Sequence, residues 1–397
     1  MADQFQAQFQ VLVLNNVSQN GLKRLGDRFA CAKEVAKPDA VLLRSADMHS
    51  MEIPASVLAI GRAGSGTNNI PVKAMSERGV PVFNAPGANA NAVKELVLAG
   101  MLMAARNIGG AMKFVTALDP ADADMEKKVE GGKKTFAGYE ISGHTLGVIG
   151  LGKIGCLVAD AALKLGIHVV GYDPEITVDA AWSLPAQVKK ANSVAEVLKA
   201  SNFVTLHVPL VDATRNMINA ESIEQMKHGA VLLNFARNGV VDEAAVLAAL
   251  DAKKLSTYVC DFPSAKVNSH PHVIALPHLG ASTREAEENC AIMVADQVRD
   301  YLVDGTIVNS VNFPNVVMPR ESAHRIAIAN ANVPNMVGQI STTMAEAKLN
   351  IHTMMNKSKK DVAYTLVDVD SKVPKKVIDQ IAKIEGVLAV RYLPQEG

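Results

Sequence analysis

Short apolar or β-branched runs alternate with longer stretches of helical periodicity from Phe9 to Gly305. That alternation is the signature of a parallel sheet covered by helices, so the chain reads as an α/β protein. The runs predict strands at Val11–Leu14, Ala40–Leu43, Val57–Ile60, Thr145–Ile149, His168–Tyr172, Phe203–His207, Ala230–Asn234 and Val273–Leu276. No internal repeat is visible in this region.

The pattern changes after Val317-Met-Pro-Arg-Glu-Ser322, a short, polar, proline-bearing linker. Beyond it the periodicities predict strand Arg325–Asn330, helix Asn335–Lys348, strand Asn350–Asn356, strand Asp361–Asp368, helix Pro374–Ile384 and strand Val387–Arg391. The order β-α-β-β-α-β is the split βαβ arrangement of a ferredoxin-like module, and about eighty residues suit a small domain.

Composition narrows the class. A chain of 397 residues, 49% hydrophobic and 20% charged, is too long for one compact core, so two or three domains are expected. The 40 basic and 40 acidic residues cancel, and the basic ones are scattered, which argues against nucleic acid or a membrane surface as partner. Cys31, Cys156, Cys260 and Cys290 are far apart and form no CxxC pair, so they are expected as buried free thiols in a reducing compartment. The start, Met-Ala-Asp-Gln-Phe-Gln, lacks a basic region followed by an apolar block, and no stretch reaches transmembrane length free of charge. A cytoplasmic enzyme is the expectation. No histidine–carboxylate cluster has metal-ligand spacing, so no metal is expected.

The segment His144–Gly155 runs an apolar strand into Gly150-Leu-Gly152-Lys153-Ile154-Gly155, followed by a helical stretch to Lys164. Gly150 permits the tight turn, Gly152 lets backbone approach a pyrophosphate, and Gly155 lets helix pack on sheet. The phosphates then meet a helix N-terminus, where free N–H groups and the dipole favour negative charge. Glycine clusters also serve ordinary turns. Here a second apolar run, His168–Tyr172, ends in Asp173, about twenty residues beyond the glycines, which completes the dinucleotide fingerprint. A carboxylate there accepts from a ribose 2′-hydroxyl and repels a 2′-phosphate, so the expected cofactor is NAD.

Three further motifs each begin at the carboxyl end of an expected strand, where open α/β sheets place ligands: Leu206-His-Val-Pro209, Asn234-Phe-Ala-Arg237 and Leu276-Pro-His278-Leu-Gly280. With Arg62–Pro71, Asn84–Glu95 and Pro277–Thr283 they carry a specific likeness. The chain resembles the D-isomer-specific 2-hydroxyacid dehydrogenases over essentially its entire length, and within them the members that act on 3-phosphoglycerate.

The resemblance implies a flavodoxin-like substrate domain from residues 1–88 and 284–317, a Rossmann-type NAD domain from 89–283, and a C-terminal ACT-like domain from 318–397. It implies NAD-dependent oxidation of D-3-phosphoglycerate to 3-phosphohydroxypyruvate, the first step of serine biosynthesis. That oxidation needs a base near neutral pKa, which a histidine supplies. His278 matches the family's catalytic histidine, and Arg237 its carboxylate clamp, whose planar fork suits the task. His207, Val208, Pro209, Ala236, Asp261 and Gly280 match positions around the cofactor. His228, His270 and His272 read as surface or structural histidines.

One family element is missing. Where relatives carry a glutamate that pairs with the histidine, this chain reads Asp261-Phe-Pro-Ser-Ala-Lys266. Lys266 and Lys94 are the residues that stand in for it, as a base or a charge near the substrate, with solvated surface lysines as the alternative. For substrate, Arg44 and Ser45 look like the family's phosphate-binding pair. Arg62, Ser65 and Gly66 belong to a glycine-rich turn whose N–H groups suit a carboxylate, and Asn89 lies in the crossing loop.

The C-terminal module resembles an ACT domain, which implies serine as an effector and a homo-oligomer, dimer or tetramer. Asn332 and Asn350 match the family's asparagines, Asn330 stands for its histidine, and Asn335 stands where glycine is usual. An oligomerisation module without ligand is the plain alternative. Two other functions stay open: a dehydrogenase of another small 2-hydroxy or 2-oxo acid, and an NAD-sensing binding protein with little turnover.

Overall fold

The computed structural model describes residues 8–395. The chain divides into two compact units, one of Ala90–Thr283 and one of the segments that precede and follow it.

The first unit opens with five parallel strands: β1 Phe9–Leu14, β2 Phe29–Ala32, β3 Ala40–Leu43, β4 Ala59–Arg62 and β5 Val82–Phe83. Their order, β2-β1-β3-β4-β5, is the flavodoxin-like arrangement, with its switch point between β1 and β3. Strand β4 begins two residues later than the apolar run suggests, because the turn Pro54–Val57 is closed by a backbone hydrogen bond. That shift brings Arg62 to the carboxyl edge, in register with Leu43.

The helix Arg284–Asp304 lies against this sheet and gives its core Cys290, Ala291, Val294 and Val298. Close approach needs glycine. A methyl on Gly61 would collide with Val294, and one on Gly21 would come 2.5 Å from the Ala291 Cβ.

Four antiparallel strands follow: β13 His324–Ala331, β14 Ile351–Lys359, β15 Val362–Val369 and β16 Val387–Pro394, ordered β14-β15-β13-β16. The intervening numbers belong to the second unit, where β6 is Thr145–Ile149, β7 His168–Tyr172, β8 Lys189–Lys190, β9 Phe203–Leu206, β10 Ala230–Asn234, β11 Leu255–Cys260 and β12 Val273–Ala275.

The helices Met336–Glu346 and Lys375–Ala382 share one core with one face of the antiparallel sheet, through Ile326, Ile328, Ile340, Val367 and Ile381. This is the ferredoxin-like arrangement. Its other face does not stand alone. Ala327, Ala329, Tyr364, Leu366 and Leu393 join the core of Tyr301, Leu302, Ile307 and Phe313, because β13 is apolar on both sides. The segment 318–397 carries this antiparallel sheet and, by its contacts, falls within the first compact unit.

Polar clamps reinforce the join. Arg325 is 1% exposed and grips Asp368 through Nε and Nη2 at 2.6 and 2.8 Å, and it also donates to the carbonyls of Asp304 and Pro319. Arg391 donates to the carbonyls of Tyr301 and Leu302, and Tyr364 to that of Gly305. These carbonyls lie at the end of helix Arg284–Asp304 and just beyond it, where intrahelical partners run out; that of Tyr301 also takes the Gly305 N–H.

The second unit is a seven-stranded parallel sheet ordered β12-β11-β10-β9-β6-β7-β8, the doubly wound order that reverses between β6 and β9. Helices Ala90–Ala105 and Lys153–Lys164 pack on it. Strand β11 is half polar at its start, and β8 is two exposed lysines, so neither forms a clear apolar run. Cys156, Cys260 and Cys290 are buried free thiols as expected, whereas Cys31 is exposed, on the edge strand β2. Among the described residues no helix is long and apolar enough to cross a membrane, and no group of three His, Cys, Asp or Glu residues could hold a metal ion.

Candidate active site

The fingerprint residues stand at the β6/β9 switch point. Gly150 has φ 93°, and a Cβ there would lie 2.6 Å from the His207 carbonyl oxygen, so only glycine turns the chain at this place. A Cβ on Gly155 would strike the Gly150 carbonyl oxygen and press on Val148, which seals the helix onto its strand. Gly152 differs: its Cβ would meet nothing within 4 Å. It is the N-terminal flank of helix Lys153–Lys164 and carries no side-chain cap, so the N–H groups at Lys153 and Ile154 face open space with the dipole behind them.

Asp173 closes the loop. Its carboxylate accepts from Leu151 N at 2.8 Å and Glu175 N at 2.9 Å, and with Pro174, Ile176, Lys190 and Asn192 it lines a cleft of about 510 Å³. Across the switch point, the His207 ring accepts or donates at Thr205 Oγ1 over 3.0 Å, while Nδ1 is buried with no partner. Burial drives the His207 pKa down to about 3, so the ring is neutral. Val208 packs on Gly150, the Pro209 carbonyl accepts from Thr214, and Ala236 is buried.

A second cluster forms at the carboxyl ends of β10, β11 and β12. Asp261 is 2% exposed, and its carboxylate accepts from Leu279 N at 2.8 Å and Gly280 N at 3.0 Å. Its carbonyl takes the His278 N–H at 3.1 Å. Asp261 thus serves as the anchor of the His278 turn; burial raises its pKa, and the two N–H donors oppose that. His278 sits at φ 53°, a left-handed conformation few non-glycine residues adopt, which sets its ring apart from the strand. The ring centroid lies 4.3 Å from that of Phe262, and Arg237 Cζ lies 5.4 Å from the same Phe262 ring.

The lysines stand apart from this cluster in character. Lys266 is exposed, its N–H bonded to Ser264 Oγ. Lys94 is 19% exposed in the first turns of helix Ala90–Ala105, 3.5 Å from Glu95. His228 and His272 are exposed, and His270 faces Asp251 at 3.3 Å.

In the first unit, Arg44 and Ser45 follow β3 at the β1/β3 switch point. Asn15, just past β1 at φ 52°, accepts from Arg44 N at 3.1 Å and donates to Ser45 Oγ at 2.7 Å. The Arg44 guanidinium pairs with Glu287. The Arg62 guanidinium lies against Gly64, whose added Cβ would meet Nη1 at 2.5 Å. Ser65 is exposed with its carbonyl held by Asn84, Gly66 is half-buried, and Asn89 is the last residue before the crossing.

The three asparagines expected to hold an effector do not gather within one chain. Asn330 is 1% exposed, donates to the Ala331 carbonyl, and has a buried Oδ1 without a partner. Asn332 follows it and donates to the Lys360 carbonyl. Asn350 precedes Ile351, which is registered with Val369 opposite His324, at the other end of β13. Antiparallel register thus separates it from the other two by the length of the strand. Asn335 takes φ 63° ahead of helix Met336–Glu346, which suits asparagine.

A family described as the D-isomer specific 2-hydroxyacid dehydrogenase, NAD binding domain, matches residues 99–280. Over 356 residues the chain is 33% identical to a D-3-phosphoglycerate dehydrogenase of Haemophilus influenzae, covering 86% of this chain and 83% of that protein. The chain belongs to the D-isomer-specific 2-hydroxyacid dehydrogenase family. An Escherichia coli D-3-phosphoglycerate dehydrogenase is 32% identical over 351 residues, covering 85% of this chain and 82% of that one. The NAD⁺-bound 3-phosphoglycerate dehydrogenase of Entamoeba histolytica shares the fold at TM-score 0.58 and 23% identity, over 77% of this chain and 99% of that chain.

This dehydrogenase is an NAD-dependent enzyme. The chain fits the cofactor in its own terms: open space at Gly152, unpaired N–H groups behind it, a carboxylate at the end of β7, and an unpartnered Nδ1 at His207. Asn15, Glu287 and Phe262 were not expected from the sequence. Asn15 carried one usable signal, as the first residue past a strand at a carboxyl edge. Glu287 carried none, because its partner is far away in the chain.

Proposed function

We propose that this dehydrogenase is a cytoplasmic enzyme that oxidises D-3-phosphoglycerate to 3-phosphohydroxypyruvate, the first step of serine biosynthesis. The observation that carries the reading is the Asn15–Arg44–Ser45 cradle at the β1/β3 switch point, with Arg62 in register beside it on β4. A phosphate needs such an arginine, and the switch point is where an α/β sheet takes ligands. Arg62, Ser65, Gly66 and Asn89 complete the substrate contacts in this reading.

NAD accepts the hydride. Gly152, Lys153 and Ile154 hold the pyrophosphate through backbone N–H groups, and Asp173 accepts from the ribose. His207, Val208, Pro209, Ala236, Asp261 and Gly280 form the remaining wall. Arg237 holds the substrate carboxylate and polarises the neighbouring oxygen, while His278 removes the hydroxyl proton. Lys94, mostly buried, and Lys266, exposed, are the alternative bases.

The segment 318–397 acts as an ACT-like module for serine, supported by the unpartnered Oδ1 of buried Asn330 beside Asn332. Asn350 then belongs to a different part of the effector surface. Exposed Ile108, Met112 and Val115 line one apolar hollow on helix Ile108–Thr116, which supports a homo-oligomer.

One observation favours a second reading. Glu287 already neutralises Arg44, which suits a smaller, unphosphorylated 2-oxo acid. NADH absorbance with 3-phosphohydroxypyruvate beside pyruvate and 2-oxoglutarate separates the two. Preference for the phosphorylated acid is expected; turnover of pyruvate alone overturns the proposal. His278→Ala, Lys94→Met and Lys266→Met assign the base by which variant loses turnover, and titration with serine tests the module.

A further inference from the structure

Phe262 lies between two polar side chains that belong to the proposed chemistry. Its ring is 4.3 Å from the His278 ring with planes at 45°, and 5.4 Å from Arg237 Cζ. Both neighbours are exposed, and Phe262 itself is half-buried. The Arg237 side chain donates to the carbonyl of its own neighbour, Ala236, at 2.6 Å. Ser264, on the same loop, ties its hydroxyl to Glu243 at 2.5 Å.

The backbone already couples these residues. Phe262 follows Asp261, whose carbonyl and carboxylate take the N–H groups of His278, Leu279 and Gly280. A shift of the Phe262 backbone therefore shifts His278. What these contacts leave free is the ring rotamer of exposed His278 and the part of the exposed Arg237 side chain beyond its one bond to the Ala236 carbonyl. An aromatic face removes that freedom at both. A guanidinium over a ring is held by the ring's quadrupole, and a ring pair by its packed face.

We propose that Phe262 is a positioning residue, holding His278 and Arg237 in a fixed relation so that proton removal and carboxylate binding act on one substrate. The inference rests on the reading that His278 and Arg237 serve those two roles. Phe262 does this with a hydrocarbon surface where a carboxylate is absent, so it positions both groups and exchanges no proton with either. Small displacements of reacting groups cost about 10²-fold in rate, so the effect belongs in kcat.

The test uses the full chain with NADH and 3-phosphohydroxypyruvate. Phe262→Leu is expected to leave NADH affinity, read by its fluorescence, within about 2-fold and to lower kcat about 10- to 100-fold. Phe262→Tyr keeps the aromatic face and is expected to recover most of that loss. In a His278→Ala background, Phe262→Leu is expected to add less than it costs the wild type, the remainder acting through Arg237. Wild-type kcat in Phe262→Leu, a Tyr variant as impaired as Leu, or a full additional loss in the His278→Ala background each overturns the positioning role. Full activity in His278→Ala overturns the reading of the base and the inference with it. Should Phe262→Leu unfold, Phe262→Met keeps the volume and is judged by the same measurements.

Discussion

The Arg44 guanidinium meets the Glu287 carboxylate at 2.6 Å, just past the carboxyl end of β3. The protein thus holds an anion of its own on the arginine proposed to receive a phosphate. A partly exposed pair of this kind contributes about 0.2–1 kcal/mol. Glu287→Gln is therefore expected to lower KM for 3-phosphohydroxypyruvate about 2- to 5-fold. Arg44→Ala is expected to raise it about 10- to 100-fold, the worth of a charged hydrogen bond. Steady-state kinetics with both variants checks this, and a Glu287→Gln enzyme with unchanged KM removes the competition.

The fingerprint glycines should fail in different ways. Gly150→Ala puts a methyl 2.6 Å from the His207 carbonyl at φ 93°, so stability is expected to fall by about 1–3 kcal/mol. Gly152→Ala meets nothing in the protein, so its melting temperature should stay near wild type while NADH binding weakens about 10-fold through steric conflict with the bound cofactor. Thermal unfolding and NADH fluorescence, run on both, separate fold from binding.

Asp173 supports the loop as well as the expected ribose, through Leu151 N at 2.8 Å. Asp173→Ala is expected to raise KM for NAD about 10-fold or more. A value equal to wild type rejects the ribose assignment.

His207 links stability to pH. The unfolded ring takes its proton as pH falls through 6.5, whereas burial delays this to about 3 in the folded protein. Between those values the unfolded chain binds more protons, so stability falls as pH falls. The share due to His207 approaches about 1.4 kcal/mol per pH unit once pH is well below 6.5. Urea unfolding at pH 7 and pH 5 should show a smaller drop in His207→Asn than in wild type.

Arg325 and Asp368 are 1% and 0% exposed, so removing one leaves a buried charge without a partner. Arg325→Met is expected to cost about 3–5 kcal/mol, and Arg325→Met with Asp368→Leu much less. Equal loss in both variants contradicts the buried-charge account.

What the sequence disclosed follows from how local each feature is. Gly150, Gly152, Gly155 and Asp173 lie within one strand–helix–strand unit, so their spacing alone announces the cofactor edge. Strands β5 and β8 have two residues each, too few for any period. Asn15 meets Arg44 across 29 positions, and Glu287 comes in the chain only after all of Ala90–Thr283, so no spacing could join them. The C-terminal sheet was readable as a ferredoxin-like pattern. Its second buried face was not, since Ala327 and Ala329 are small residues that read as neutral until Tyr301 and Leu302 cover them.

The first unit is interrupted by the second, and this sets an order of events during synthesis. A ribosome delivers β1 to β5 first, yet Gly21 and Gly61 are shaped for Ala291 and Val294, which emerge only after all of Ala90–Thr283. Until then the sheet has no helix Arg284–Asp304 to cover it, and its apolar face stays wet. The cofactor unit, contiguous in the chain, can complete its core first, while the amino-terminal strands wait as a nascent-chain surface that invites chaperone binding.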